Sequence, residues 1–416
     1  MRNLNKDFWD EFYKTENPQI SKPSSFSYFV YTNYIEKYND DNVYLKIADL
    51  GSGNCRDTIF FSRKKNLCYG IDVNGVLNEE NINDKLCKFI KKDVLDVLKK
   101  YELQTLFDII YMRWFLHALP YDISEDIFIN SLHNLKPGGL ICIEVRSIND
   151  KELQSKSVYD VKDKSCSSTH KRWLYNIEIL ENLATSNDCD VLYCKEDYFS
   201  PDENAETTNP LLIRFICKKK ILPYYEKSEN YCKYKHIIPK MSYSTEHYDK
   251  MSILNKIFEE KGIKYVAVAG TSLGLVRHGG IIPWDEDIDI GFVEEEWKKL
   301  YGIKDEFEKY GYEYSFKGQT HWHFGPIDCF KLRKKGNFYI GEARTYCSED
   351  EYNNIAKQIY GYTYIYAPFC NHESLKKRYG DYFHIGDVND NFHFSDKSVK
   401  RFNLNHNDLS YQLKLK

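Results

Sequence analysis

The sequence lacks any CxxC pair: its twelve cysteines are scattered from Cys55 to Cys370, and the nearest close spacing is Cys189 to Cys194. Without paired ligand spacing, a zinc site is not expected. The chain also lacks the apolar stretch of a signal peptide, since it starts MRNLNKDFWDEF, and no run approaches the roughly 18 apolar residues that a membrane span needs. The expected location is cytoplasmic, in a reducing compartment where thiols serve as buried fillers rather than disulfides. Charge of one sign is missing too. A net charge of -4 and a pI near 6.3 leave no electrostatic footprint for nucleic acid.

What is present describes a globular chain. Hydrophobic residues make up 42% and charged residues 29%, and 35 Tyr with 24 Phe supply apolar area that the modest aliphatic content does not. At 416 residues the chain exceeds what one core usually serves and suits two domains. From Leu45 to about Lys218, β-type runs (YLKIADL, CYGIDV, FDIIYM, GLICIEV) alternate with amphipathic stretches, which predicts a parallel sheet covered by helices. Two last runs, DVLYCKEDYF and LLIRFICKKK, flank a polar loop containing Pro201 and Pro210 and predict a closing hairpin. Residues 219–243 mix prolines and charge without periodicity and read as a linker. Beyond them the pattern predicts a helix over Tyr248 to Lys261, a strand over Tyr265 to Ala269, a Gly-rich turn and a strand around Ile288. The expected organisation is an α/β domain over 1–218, the linker, and an α+β domain over 244–416.

DLGSGNCRD begins where a strand ends, and Gly51 and Gly53 permit the tight turn and close backbone approach that a nucleotide-like cofactor requires. Asp72 closes the next strand, where a carboxylate can accept from both hydroxyls of a cofactor ribose. Asp93 in KKDVLD follows the third strand, and KPGGLICIEV turns into the fifth. Over about residues 5–218 this order resembles the class I S-adenosylmethionine (SAM)-dependent methyltransferases, with Cys55 standing where many relatives have a third glycine. The resemblance implies a Rossmann-like fold, SAM as cofactor, and a site lined by Asp49, Gly51, Gly53, Asp72 and Asp93. A dinucleotide oxidoreductase is the competing reading, disfavoured by the missing glycine and the terminal hairpin. On the acceptor side, YMRWFLHAL, EVRS and STHKRWL bring Arg113, His117, Arg146, His170 and Arg172 to the carboxyl edge of the sheet, with Lys171 beside them. Glu144 is the carboxylate there that stands out as a base. Together with PSSFSYFV these segments look like methyltransferases of surface-polysaccharide pathways, and the arginines suit an anionic methyl acceptor, a phosphate or phosphate-derived group.

The second half carries AGTSLGLVRHGGIIPWDEDIDI, residues 269–290. If DEDIDI is a strand, Asp285, Asp287 and Asp289 share one face. Like charges roughly 7 Å apart repel by about 2 kcal/mol at an effective dielectric near 20, and a divalent cation removes that cost. Oxygen ligands suit Mg²⁺ or Mn²⁺. Asp328 in PIDCFKL offers a further carboxylate on an adjacent strand. Gly270 and Thr271 in the turn AGTSLG, with Arg277 and His278, would bind phosphate.

Over about residues 244–385 these motifs, with IDCF and YAPFCNHESLKKRYGDYF, resemble the LicD and fukutin family of nucleotidyltransferase-fold enzymes. The resemblance implies transfer of a phosphoryl-linked group from a cytidine diphosphate donor to a sugar hydroxyl. It implies Asp287 and Asp289 as metal ligands, completed by Asp285 or Asp328, with Arg277 neutralising charge on the reacting phosphoryl. Trp284 is as readily core as site wall, and His321 and His323 in THWHFGP are read as packing or loop residues ahead of general bases. The expectation is a bifunctional enzyme acting on a surface glycan, its partners a nucleotide-diphosphate donor and the glycan, with no nucleic acid and no membrane span. Two alternatives stand: a small-molecule methyltransferase coupled to phosphocholine-type transfer, or a methyltransferase with a non-catalytic glycan-docking domain.

Overall fold

The computed structural model describes residues 8–9, 11, 22–75, 85–100, 102–103, 105–167, 170–199, 210–220, 241–282, 285, 287–309, 314–316, 319–342, 345–361, 363–369 and 372–379. The chain forms two compact units, Met1–Ile221 and Leu222–Lys416. No helix among the described residues is long and apolar enough to cross a membrane.

In the first unit the apolar runs become strands: β1 Lys46–Leu50, β2 Leu67–Ile71, β3 Cys87–Ile90, β4 Phe107–Arg113 and β5 Leu135–Arg146. Every residue of β1 and β2 is buried, as expected of parallel strands covered on both faces. Three short strands, β6 Val158–Asp160, β7 Ser165–Ser167 and β8 Lys171–Trp173, form a separate small sheet before β9 Cys189–Asp197 and β10 Leu212–Lys219. The main sheet runs β3-β2-β1-β4-β5-β10-β9, with β1 to β5 parallel and β10 antiparallel to both β5 and β9. This is a Rossmann-like α/β sheet closed by the expected hairpin, and its order reverses between β1 and β4. Ligands of open α/β sheets bind at that reversal, at the carboxyl ends of the strands. KPGG is not a separate loop. It lies inside β5 as an irregularity, where the register jumps from Phe107↔Leu135 to Ile109↔Leu140 and Lys136 forms a buried ion pair with Asp108 at 2.8 Å.

The second unit opens on a helix, Met241–Glu260, that starts earlier than the sequence pattern suggests. From it Tyr248, Met251, Leu254, Ile257 and Phe258 enter the core at helical spacing. Its sheet runs β11-β12-β15-β14-β13, where β11 is Val266–Ala267, β12 Ile288–Val293, β13 Tyr314–Phe316, β14 His321–Phe324 and β15 Ile327–Lys335. β12 and β15 are parallel, and β14 is antiparallel to β15. Two sequence expectations fail here. AGTSLG is not a Gly-rich turn but the start of a helix, Ala269–His278, and DEDIDI is not one strand, because β12 begins only at Ile288. The glycines serve close packing instead of turning: a Cβ on Gly274 would lie 2.5 Å from the Gly280 carbonyl oxygen.

Cys55 explains its own oddity. It caps the helix Arg56–Arg63 at φ 60°, the left-handed conformation that favours glycine and costs other residues roughly 1–2 kcal/mol. Its sulfur occupies space left by Gly70, where an added Cβ would meet Cys55 Sγ and Ser52 Oγ at 2.9 Å each. Gly70→Ala should therefore lower stability by about 1–3 kcal/mol through overpacking, and Cys55→Gly should relieve part of that loss. Denaturant melts of the two single variants and the double variant check this, and strict additivity would contradict it.

Candidate functional sites

At the sheet reversal of the first unit, Gly51 (φ 72°) and Gly53 (φ 55°) carry the chain from β1 toward the Arg56–Arg63 helix. The amide of Gly51 donates to the Ile71 carbonyl at 2.8 Å, and that of Gly53 donates to Asp72 Oδ2 at 2.9 Å. The other Asp72 oxygen accepts from the amides of Asn74 and Gly75 at 2.8 Å each, so the acid is held rigidly at the end of β2. Asp93 caps the helix Val94–Lys99, with Oδ1 accepting from the Leu95 and Asp96 amides. A helix cap is thus a structural duty for the acid assigned to the adenine side. Asp49 is buried and accepts from the Thr58 hydroxyl at 2.6 Å, while burial and the neighbouring Asp57 push its carboxyl up to about 8. Asp57 itself takes the Ser24 amide, the Ser24 hydroxyl and the Tyr111 hydroxyl, tying the PSSFSYFV segment to β4.

The acceptor-side residues come together. His117 is buried, and its Nδ1 accepts from the Arg146 amide at 3.2 Å, which leaves the proton of the neutral ring on Nε2. Burial, with the charges of Arg146, Arg172, His170 and Arg113, holds it well below the usual histidine range. His170 is pushed down to about 3 by burial and then by Arg172 and Arg146. The Arg113 and Arg146 guanidinium groups lie 4.4 and 5.2 Å from the Trp114 ring, and Trp114 sits at φ 53°. Glu144 is buried, with Arg113 Nε 3.2 Å from one oxygen and Arg214 Nε 2.7 Å from the other. Breaking such a pair costs about 3–5 kcal/mol, so Glu144 holds both arginines in place. Arg146 pairs with Asp150 at 3.2 Å, and Lys171 with Asp163 at 2.6 Å. Sequence reasoning missed Phe8 and Trp9, whose rings lie 4.2 and 4.9 Å from His170. The aromatic pair in KDFWDEF was the available signal.

In the second unit, parallel register places Asp289 of β12 beside Asp328 of β15. Donor oxygens of Asp287, Asp289 and Asp328 lie within 4.8 Å of one another. Asp285 lies near them, its charge adding to those that act on Asp289. It precedes the strand, is buried, and sits over Gly270, where an added Cβ would lie 2.4 Å from Asp285 Oδ2. Burial and the charges of Asp287, Asp285 and Asp328 drive the Asp289 carboxyl well above the carboxylate range, with Arg378 pulling the other way. Arg378, from the helix Glu373–Tyr379, was not singled out from the sequence although it lies in the quoted run SLKKRYGDYF. Thr271 Oγ1 accepts from the Asp289 amide at 2.6 Å and fixes the strand entrance. Arg277 and His278 stand in the last turn of their helix, about 10 Å along its axis from Gly270 and Thr271. The helix thus separates residues that a turn would have gathered. Trp284 lies outside the described residues. His321 and His323 both contact Asp328, His321 Nε2 at 3.2 Å.

Residues 262–346 match the family described as LicD/FKTN/FKRP, nucleotidyltransferase domain. The second unit therefore carries a LicD-type domain, spanning Asp287, Asp289 and Asp328. An uncharacterised protein of Rickettsia prowazekii is 36% identical over 94 residues, which is 22% of this chain and 35% of that protein. The chain thus spans about a third of that relative's length. The human ribitol 5-phosphate transferase FKRP is 45% identical over 40 residues, 10% of this chain and 8% of that one. Among solved structures, a SAM-dependent methyltransferase of Anabaena variabilis aligns with a TM-score of 0.36 and 14% identity, over 51% of this chain and 94% of that one. The reading of the first unit rests on its own sheet order and Gly turn.

The Asp49 shift gives a pH dependence. Its folded-state value near 8 lies above the unfolded value near 4, so the folded unit holds a proton that the unfolded chain sheds. The resulting stabilisation is complete below about pH 4 and is lost as pH rises through 8. Thermal melts should show the first unit losing stability from about pH 5 to about pH 8.5, with Asp49→Asn flattening that slope. An unchanged slope in Asp49→Asn would contradict the assignment.

Proposed function

We propose that the chain is a bifunctional, cytoplasmic glycan-modifying enzyme that uses SAM to methylate an anionic, phosphate-type group. Its LicD-type domain transfers a phosphoryl-linked substituent from a nucleotide-diphosphate donor, CDP-linked by the resemblance, to a sugar hydroxyl. The observation that carries the reading is the convergence of Asp287, Asp289 and Asp328 inside the matched domain. Carboxylates so buried and so close together that Asp289 resists ionisation fit a divalent cation by the chemistry of their donor set. Bound there, Mg²⁺ or Mn²⁺ would offset the carboxylate charge and stabilise negative charge on the donor's diphosphate. Asp289 must shed its proton to ligate, Thr271 steadies its backbone, and Gly270 leaves room for Asp285. Arg378 supplies a positive charge that acts on Asp289.

The first unit fits SAM through the same kind of test. Gly53 and Gly75 approach so closely that a Cβ on Gly75 would lie 2.4 Å from the Gly53 carbonyl oxygen, and three amides aim Asp72. SAM supplies the methyl group as a sulfonium. Asp72 would accept from its ribose hydroxyls, Asp49 and the Gly51–Gly53 turn would line the remainder, and Asp93 would face the adenine. Arg113, Arg146 and Arg172, gathered around His117 and His170, support an anionic methyl acceptor, because a phosphate oxygen needs no base and Glu144 offers none.

Asp287→Asn and Asp289→Asn should each abolish substituent transfer and Mg²⁺ binding while leaving SAM affinity unchanged. Arg172→Ala should lower kcat/KM for the phosphorylated acceptor about tenfold or more at unchanged SAM affinity, and phosphatase treatment of the acceptor should abolish methylation. Full transfer by both Asn variants, or full-rate methylation of a phosphate-free acceptor, would overturn the corresponding half.

A further inference from the structure

The burial pattern of β14 alternates: Trp322 and Phe324 enter the core while His321 and His323 occupy the other face. Antiparallel register sets His323 opposite Asp328, and parallel register sets Asp328 opposite Asp289. Three neighbouring strands thereby carry His323, Asp328 and Asp289 in one row, at strand spacings of about 4.8 Å. The two imidazole rings are 4.3 Å apart between centroids, and His321 stacks on Phe330 at 4.4 Å, which sets its plane. His321 Nε2 lies 3.2 Å from Asp328 Oδ2, and His323 Nδ1 contacts Asp328 Oδ1. Each oxygen of this carboxylate faces a different imidazole nitrogen.

Donor atoms of His321, His323 and Asp328 lie within 4.8 Å of one another, as do those of Asp287, Asp289 and Asp328. The two triads share only Asp328. Their donor chemistry differs, one being all oxygen and the other two nitrogens with one oxygen. Hard Mg²⁺ takes oxygen and dehydrates reluctantly, whereas imidazole suits Zn²⁺ and its first-row neighbours. Two imidazoles with one carboxylate also form the three-ligand set of a zinc site that keeps a coordination position open.

We propose that His321, His323 and Asp328 form a second cation position, which takes a nitrogen-preferring divalent ion of the Zn²⁺ class and shares Asp328 with the carboxylate position. The proposal deepens the metal reading of the second unit and depends on it only through Asp328. Two cations of different hardness would then bracket one carboxylate, and the outer position would present an open coordination site to an oxygen of donor or acceptor. A role for the histidines as hydrogen-bond donors that merely hold Asp328 is the competing account.

Co²⁺, whose visible absorption reports its ligands, is the probe. Titrated into the metal-stripped full chain, it should give a visible band from a nitrogen-ligated ion, which Zn²⁺ abolishes and Mg²⁺ does not. His321→Ala and His323→Ala, and the gentler His323→Gln, should weaken Co²⁺ binding by about tenfold or more, with unchanged circular dichroism. Asp287→Asn should keep the band. The idea is overturned if the wild-type spectrum reports oxygen or thiolate ligands only, or if properly folded histidine variants bind Co²⁺ as the wild type does. Loss of the carboxylate reading would look different: Mg²⁺ binding indifferent to Asp287→Asn, with the cobalt band still dependent on histidine.

Discussion

Three carboxylates pressed together, Asp287, Asp289 and Asp328, are the constraint around which the second unit is arranged. Packing alone gives no reason to bury Asp289 beside three other acids, because each neighbour raises the cost of its charge. The surroundings accommodate that cost in specific ways. Parallel pairing of β12 with β15 fixes Asp289 against Asp328, Thr271 takes the Asp289 amide, and Gly270 lets Asp285 approach the helix backbone. Arg378 comes from a helix far along the chain to place a positive charge within reach. Each device makes sense if the charge is meant for a cation and a phosphate-bearing substrate.

The first unit solves the inverse problem. There the unusual concentration is of basic groups, and burial with mutual repulsion keeps His117 and His170 neutral. Glu144 and Asp150 hold two of the arginines in place. Among the described residues, positive charge thus gathers at the carboxyl edge of the sheet, and Glu144, the carboxylate there, is taken up by Arg113 and Arg214. The Gly turn and Asp72 on the same edge are linked by a direct hydrogen bond between Gly53 and the acid.

The strands of the first unit were legible because parallel strands buried on both faces are written as continuous apolar runs, as in KIADL and LCYGI. The closing hairpin was legible from its polar loop between two β-type runs, DVLYCKEDYF and LLIRFICKKK. The helix at Ala269–His278 was not, because Gly270 and Gly274 lower helix propensity and read locally as a turn. Only the tertiary structure reveals that one glycine admits Asp285 and the other admits the Gly280 carbonyl. That error brought Arg277 and His278 too close to Gly270 and Thr271. The pairing of His321 and His323 with Asp328 was equally hidden, since alternation places both on one face but the opposing residue depends on strand register. Arg378 and the Phe8–Trp9 pair reach their sites through long-range contacts that no local pattern encodes.

The central claim is that one chain performs both transfers on the same glycan. Mass spectrometry of the surface glycan from cells with the intact gene and from cells lacking it tests this most directly. The account predicts that loss of the chain removes both a methyl group and a phosphodiester-linked substituent from that glycan, and that Asp289→Asn removes the substituent. A glycan unchanged in both respects, with methyl label from SAM found only in a small-molecule pool, would contradict it.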